Sequence, residues 1–137
     1  KHNNNWLVLV FHGVDGIGYE ALPGTLLEEY FQYMKQKEKD LWIATFGDVT
    51  KYLRERMNAT VKVNETKQKI TVSLNHTLDP SHYDLPLTLK SYIPTSWKTV
   101  KIRQGSKETT VTAQKDERGT FVQYQAVPNS APVEISR

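Results

Sequence analysis

The stretch Trp6-Leu7-Val8-Leu9-Val10-Phe11-His12-Gly13 decides how this chain is read. Six consecutive apolar residues, bounded by Asn3–Asn5 and by His12-Gly13, suit a strand buried on both faces, as strands of parallel sheets are. Such a strand needs helices to cover it. The loop from Gly13 to Gly24 leads to Thr25 and Glu28, a capping-box pair, and Leu26, Leu27, Tyr30, Phe31 and Met34 follow at helical spacing. Leu41-Trp42-Ile43-Ala44-Thr45 reads as a second buried strand. Asp48 then caps a helix whose apolar stripe is Val49, Tyr52, Leu53 and Met57. Residues 6–57 therefore predict two strand–helix units.

From about Ala59 the apolar period changes to two. Val61 and Val63, then Ile70, Val72 and Leu74, then Leu85, Leu87 and Leu89 alternate with polar residues. Val100 and Ile102 continue the series, which turns at Gln104-Gly105-Ser106, resumes at Thr109–Thr112, turns at Asp116–Gly119 and runs from Phe121 to Val127. Six or seven short strands at this spacing predict an antiparallel β-sandwich. The expected class is α+β, with residues 1–58 forming the strand–helix part and residues 59–137 the sandwich.

Composition sets limits on function. With 38% apolar and 24% charged residues among 137, the chain has ordinary globular composition. The formal charge of +3 is spread out, and the clusters Lys35, Lys37, Lys39 and Arg54, Arg56 read as solvated helix faces. No nucleic-acid partner is expected. Absence of cysteine excludes disulfides, thiolate zinc sites and cysteine nucleophiles. The longest apolar run is too short to span a bilayer, and no membrane partner is expected. The abrupt start at Lys1-His2-Asn3 reads as a fragment of a longer protein.

His12, at the C-terminal end of the expected first strand, occupies the position where α/β folds place their chemistry. It is the catalytic candidate. Gly13, Gly16 and Gly18 with Asp15 form a turn that brings backbone and a carboxylate near a ligand, but they lack the spacing and lysine of a phosphate loop. Trp6, Trp42 and Trp97 are candidates for stacking on sugar rings. Trp42 reads better as core, and Trp97, with Tyr92 and Tyr83, as a platform or as core. His76 and His82, six apart, have no spacing logic for a shared metal. Asn58, Asn64 and Asn75 head glycosylation-type triplets that chance explains.

Trp6-Leu-Val-Leu-Val-Phe-His-Gly-Val-Asp15 resembles the late histidine motif of the NodB-like polysaccharide deacetylases, carbohydrate esterase family 4. Leu41 to Leu53 resembles that family's final barrel strand and helix, and Pro86–Pro94 with Trp97 and Val100 resembles the all-β domain that some members append. The resemblance implies the end of a distorted (β/α) barrel followed by a β-sandwich. It also implies a polysaccharide partner, a secreted or periplasmic location, and deacetylation assisted by a divalent metal, commonly zinc, in the full-length enzyme. His12 would be the general acid, with Asp15, Trp6 and Trp97 contacting substrate. The family's paired aspartates and His-x-x-x-His element are missing from this chain. No metal and no independent activity are therefore expected of it, and its bare barrel strands should self-associate through residues 6–57, or through the missing N-terminal part. The alternative from the residues alone is a carbohydrate-binding or structural β-sandwich module, and a third is an unrelated two-layer adaptor.

Overall fold

The computed structural model describes residues 5–137. Asn3 and Asn4, read as the boundary of the first apolar run, lie outside the described residues. The chain forms two compact units, Lys1–Phe46 and Gly47–Arg137.

In the first unit, two-residue strands β1 (Gly13–Val14) and β2 (Ile17–Gly18) pair antiparallel around Asp15-Gly16, and α1 (Gly24–Gln36) follows. Asp15 and Gly16 both have positive φ, 53° and 78°, which is the conformation that Asp-Gly supplies in a tight two-residue hairpin. The expected buried strands are not there. Residues 6–11 and 41–45 have no regular structure, and Trp6 to Phe11 are between 39% and 74% exposed. A run that is apolar on both faces becomes a strand only where neighbours occupy its edges and cover its faces. The described residues of this unit supply one short hairpin and one helix, which cannot do that. Leu26, Tyr30 and Phe31 on the apolar face of α1 are likewise at least a third exposed. The α+β expectation of two units from a (β/α) barrel is thus overturned, and the protein is mostly β.

The second unit begins with most of α2 (Phe46–Asn58) and continues as β3 (Thr60–Glu65), β4 (Lys69–Asn75), β5 (Leu87–Tyr92), β6 (Thr99–Gln104), β7 (Lys107–Thr112), β8 (Gln114–Asp116), β9 (Gly119–Ala126) and β10 (Val133–Ser136). These strands make a five-stranded sheet in the order β3-β4-β10-β6-β7 and a three-stranded sheet in the order β5-β9-β8, with antiparallel pairing throughout. One core lies between them. Ile70, Val72 and Leu74 of β4, Val100 and Ile102 of β6 and Val133 and Ile135 of β10 meet Leu87 of β5 and Val122, Tyr124 and Ala126 of β9. The period-two residues face inward because successive side chains on a strand point to opposite faces.

The second sheet is too narrow to cover the first. Val61 and Val63 of β3 lie opposite core residues Leu74 and Val72, and so share their face, yet they remain 48% and 57% exposed. On α2 the inward face is Val49, Tyr52, Glu55 and the following Ala59, whereas Met57, expected in the stripe, is 83% exposed. Among the described residues no helix is long and apolar enough to cross a membrane.

Candidate functional site

The expected site residues of the first unit have local structural contacts. His12 is exposed, and its ring meets Tyr19 edge-on with centroids 5.9 Å apart. Asp15 Oδ1 accepts the Gly24 amide proton at 2.7 Å, so this carboxylate satisfies the N-terminus of α1 from outside the helix. That contact replaces the expected Thr25–Glu28 capping box: Pro23 occupies the N-cap position and no side-chain cap bond forms. A Cβ on Gly24 would lie 2.6 Å from Asp15 Oδ2, so the glycine permits the approach. Trp6 is 44% exposed and stacks in a tilted pair on Phe46, with centroids 5.0 Å apart.

Trp97 is placed otherwise, at 5% exposure within the sandwich core. Tyr92 is exposed on the outer face of the three-stranded sheet, and Tyr83 lies under the Arg54 guanidinium. The platform of Trp97, Tyr92 and Tyr83 is therefore not assembled. Tyr92 instead belongs to a tight outer-face cluster. Lys90 Nζ sits 3.8 Å from the Phe121 ring centre and pairs with Asp116, whose Oδ2 also accepts from Tyr92 Oη at 3.0 Å. The lysine holds the Asp116 carboxyl down at about 2. On the outer face of the larger sheet, Glu134 accepts from Lys69 and Arg103, which bring its carboxyl down to about 2.

At one end of the sandwich a pocket of about 450 Å³ is lined by Lys67, Gln68, Trp97, Ser136 and Arg137. Three segments build it: the β3–β4 turn, the loop before β6 and the end of β10. The turn is fixed by Thr66, whose Oγ1 accepts from the Lys69 amide at 3.0 Å and whose amide donates to the Lys69 carbonyl at 2.8 Å. The loop is fixed by the Trp97 amide, which donates to Pro94 O at 2.9 Å. No carboxylate side chain lines the pocket, and the nearby Glu134 is taken by Lys69 and Arg103. A second groove of about 390 Å³ opens between β7 and the C-terminal half of β9, with Lys107, Thr109 and Gln123 on its walls. Gln104 closes that end of the sandwich. Its amide accepts from Val127 N and donates to Val127 O, each at 2.9 Å.

A buried polar set that the sequence did not disclose ties α2 to the sheets. Glu55 and His76 side chains are fully enclosed. Glu55 Oε1 accepts from the Leu85 amide at 3.1 Å, and its Oε2 lies 3.8 Å from His76 Nε2, too far for a hydrogen bond. Asn129 Oδ1 accepts from the His76 amide at 3.0 Å, so the Asn129 amide nitrogen faces His76 Nδ1 at 3.2 Å and the ring proton belongs on Nε2, toward Glu55. A glutamate amid the α2 stripe was the only available signal. Among the described residues no group of three or more His, Asp or Glu could hold a metal ion.

Fold and site together define a small antiparallel β-sandwich with polar pockets at its margins. The chain is similar to a gellan lyase of Bacillus sp, with 23% identity over 142 residues that cover 98% of this chain and 6% of that protein. The chain thus spans a small part of the curated relative it matches. No family model matches, and no solved structure matches. The resemblance to polysaccharide deacetylases is overturned, since the relative found is a polysaccharide lyase and the strand–helix units that carried the resemblance are absent.

Proposed function

We propose that this chain is a carbohydrate-binding β-sandwich module of a larger polysaccharide-acting protein, and that it binds rather than cuts. The observation that carries the reading is the similarity, along 98% of the chain, to a protein named for its action on gellan. The fold supports it. Rigid strands present shallow polar pockets, which suits recognition of a chain of hydroxyl groups. A secreted location belongs to the same reading, because the polymer would be met outside the cell. So does self-association through the exposed apolar residues of the first unit, which light scattering measures.

Affinity electrophoresis of the folded chain through gels containing soluble polysaccharides, gellan among them, tests the reading. Retardation by at least one polymer, relieved by that polymer's oligosaccharides, is the expected result. Unchanged mobility across neutral and acidic polymers would overturn it and leave a structural spacer.

A further inference from the structure

The groove between β7 and β9 brings together an open strand edge, an apolar lining and polar side chains that the fold leaves unused. We infer that it is the glycan-contacting site of the module and that it takes a short stretch of polysaccharide backbone, recognised through ring hydroxyls and not through charge. The inference rests on the carbohydrate-binding reading and adds the residues and the mode of contact.

The edge belongs to β9. Ile93 N donates to Thr120 O at 2.9 Å, at the end of the β5–β9 ladder in which Ser91 faces Val122 and Leu89 faces Tyr124. In an antiparallel ladder, hydrogen-bonded pairs alternate with pairs whose N–H and C=O point away, so Phe121, Gln123 and Gln125 direct theirs to the other edge of β9. Strand β8 meets that edge from Gly119 to Phe121 and goes no further. Among the described residues no strand pairs with Gln123 or Gln125 there, and both residues line the groove.

The opposite wall comes from β7. Val111 packs against the core, and the strand period of two puts Thr109 and Lys107 on the same face. Two polar residues thus hold inward positions, and both are exposed, since the three-stranded sheet does not extend over them. The side chains of Lys107, Thr109 and Gln123 have no partner among the described residues. Their neighbours are already engaged: Gln104 by Val127 and Ala131, Gln125 by Thr88 Oγ1 at 2.8 Å, and Glu108 faces Lys101 at 3.7 Å. Pro86, Ile102 and Val127 add apolar lining to a volume of about 390 Å³.

A sugar answers both parts of this lining. Its ring has apolar C–H faces, and its hydroxyls both donate and accept, as unpaired N–H and C=O groups require. An added peptide strand suits the edge less well. The open stretch from Gln123 to Gln125 is only about 7 Å long, short of the roughly five or six residues of an ordinary strand.

The test begins with retardation in gels of gellan, dextran, galactomannan and hydroxyethyl cellulose. Oligosaccharides of a polymer that retards the chain are then titrated into isotope-labelled protein and followed by NMR. Amide shifts centred on Lys107–Thr109 and Gln123–Gln125, with slower hydrogen exchange at the residue 123 and 125 amides, are expected. Binding should be about tenfold weaker in Thr109→Ala/Gln123→Ala and unchanged in Thr110→Ala/Thr112→Ala, which alters the outward face of β7. It should also hold from about 0.05 to 0.5 M salt.

Shifts centred elsewhere, or equal loss in both variants, would overturn the inference while leaving a carbohydrate-binding module. Binding abolished by salt would overturn recognition through hydroxyls. Protection of the residue 123 and 125 amides that grows with protein concentration in the absence of sugar would show a strand of a second copy on this edge and would also overturn it. Failure of every polymer to retard the chain would remove the general reading as well. All four altered residues are exposed, and circular dichroism confirms that each variant is folded.

Discussion

Replacing Glu55 by alanine tests the buried set beneath α2. In the parent, Glu55 Oε1 receives the Leu85 amide proton and Oε2 faces the protonated nitrogen of His76. Alanine leaves the Leu85 amide enclosed without an acceptor, at about 1–3 kcal/mol, and removes the side chain that joins the helix to the loop before β5; His76 Nε2 has no hydrogen bond to lose. The loss falls at about 1–3 kcal/mol, the cost of leaving one enclosed donor unpaired. Urea unfolding followed by tryptophan fluorescence gives the value. With a slope of about 2 kcal/mol per molar, the midpoint should fall by roughly 0.5–1.5 M. Glutamine is the informative companion. It keeps an acceptor for Leu85 but turns an amide N–H toward His76 Nε2–H, and the ring cannot move its proton to Nδ1 without meeting the Asn129 amide nitrogen. Glu55→Gln should therefore cost about 1–3 kcal/mol despite its matching shape. A loss below about 1 kcal/mol for Glu55→Ala would refute the account.

Further outcomes follow from the surface pairs and turns. Glu134 and Asp116 have folded-state values of about 2, below their ordinary 4.5 and 3.8, so the stability they contribute is complete above those ordinary values and is lost as pH falls toward 2; acid titration of stability should flatten in Glu134→Gln and in high salt. Gln104→Ala removes the two bonds to Val127 and one to Ala131 O, and should lower unfolding stability by about 1–3 kcal/mol in the same urea assay. Gly24→Ala forces its Cβ against Asp15, and should speed hydrogen exchange at the residue 24 amide without changing exchange in β4 or β9.

The sandwich was legible wherever burial on one face imposed a period of two, as at Ile70-Val72-Leu74 and Val100-Ile102, and where Gly105 and Gly119 marked the turns with φ of 59° and 139°. Strand β10 was passed over because Val133 and Ile135 give only two alternations after Pro128-Asn129-Ser130. The early runs misled for a different reason. Apolar content reports what a segment would bury if it could, and apart from the Trp6–Phe46 ring pair Trp6–Phe11 finds no covering layer among the described residues of its unit. Asp15-Gly16, the Asp-Gly hairpin signal, was present but was read as a ligand loop. The end pocket was visible only through Trp97, because Lys67 and Arg137 come together by the pairing of Ser136 with Lys69, which no local pattern reveals.

The place of β10 also governs the order in which the protein can be made. It follows β9 in sequence, yet in the larger sheet it lies between β4 and β6, with Val133 opposite Val72 on one side and Gln104 on the other. Until those four residues leave the ribosome, β3–β4 and β6–β7 are two separate hairpins, each with a bare edge where the central strand belongs. Closure then joins segments distant in sequence, the slow kind of contact to form. A nascent chain stalled before Val133 should remain open to proteases and to pairing with its neighbours.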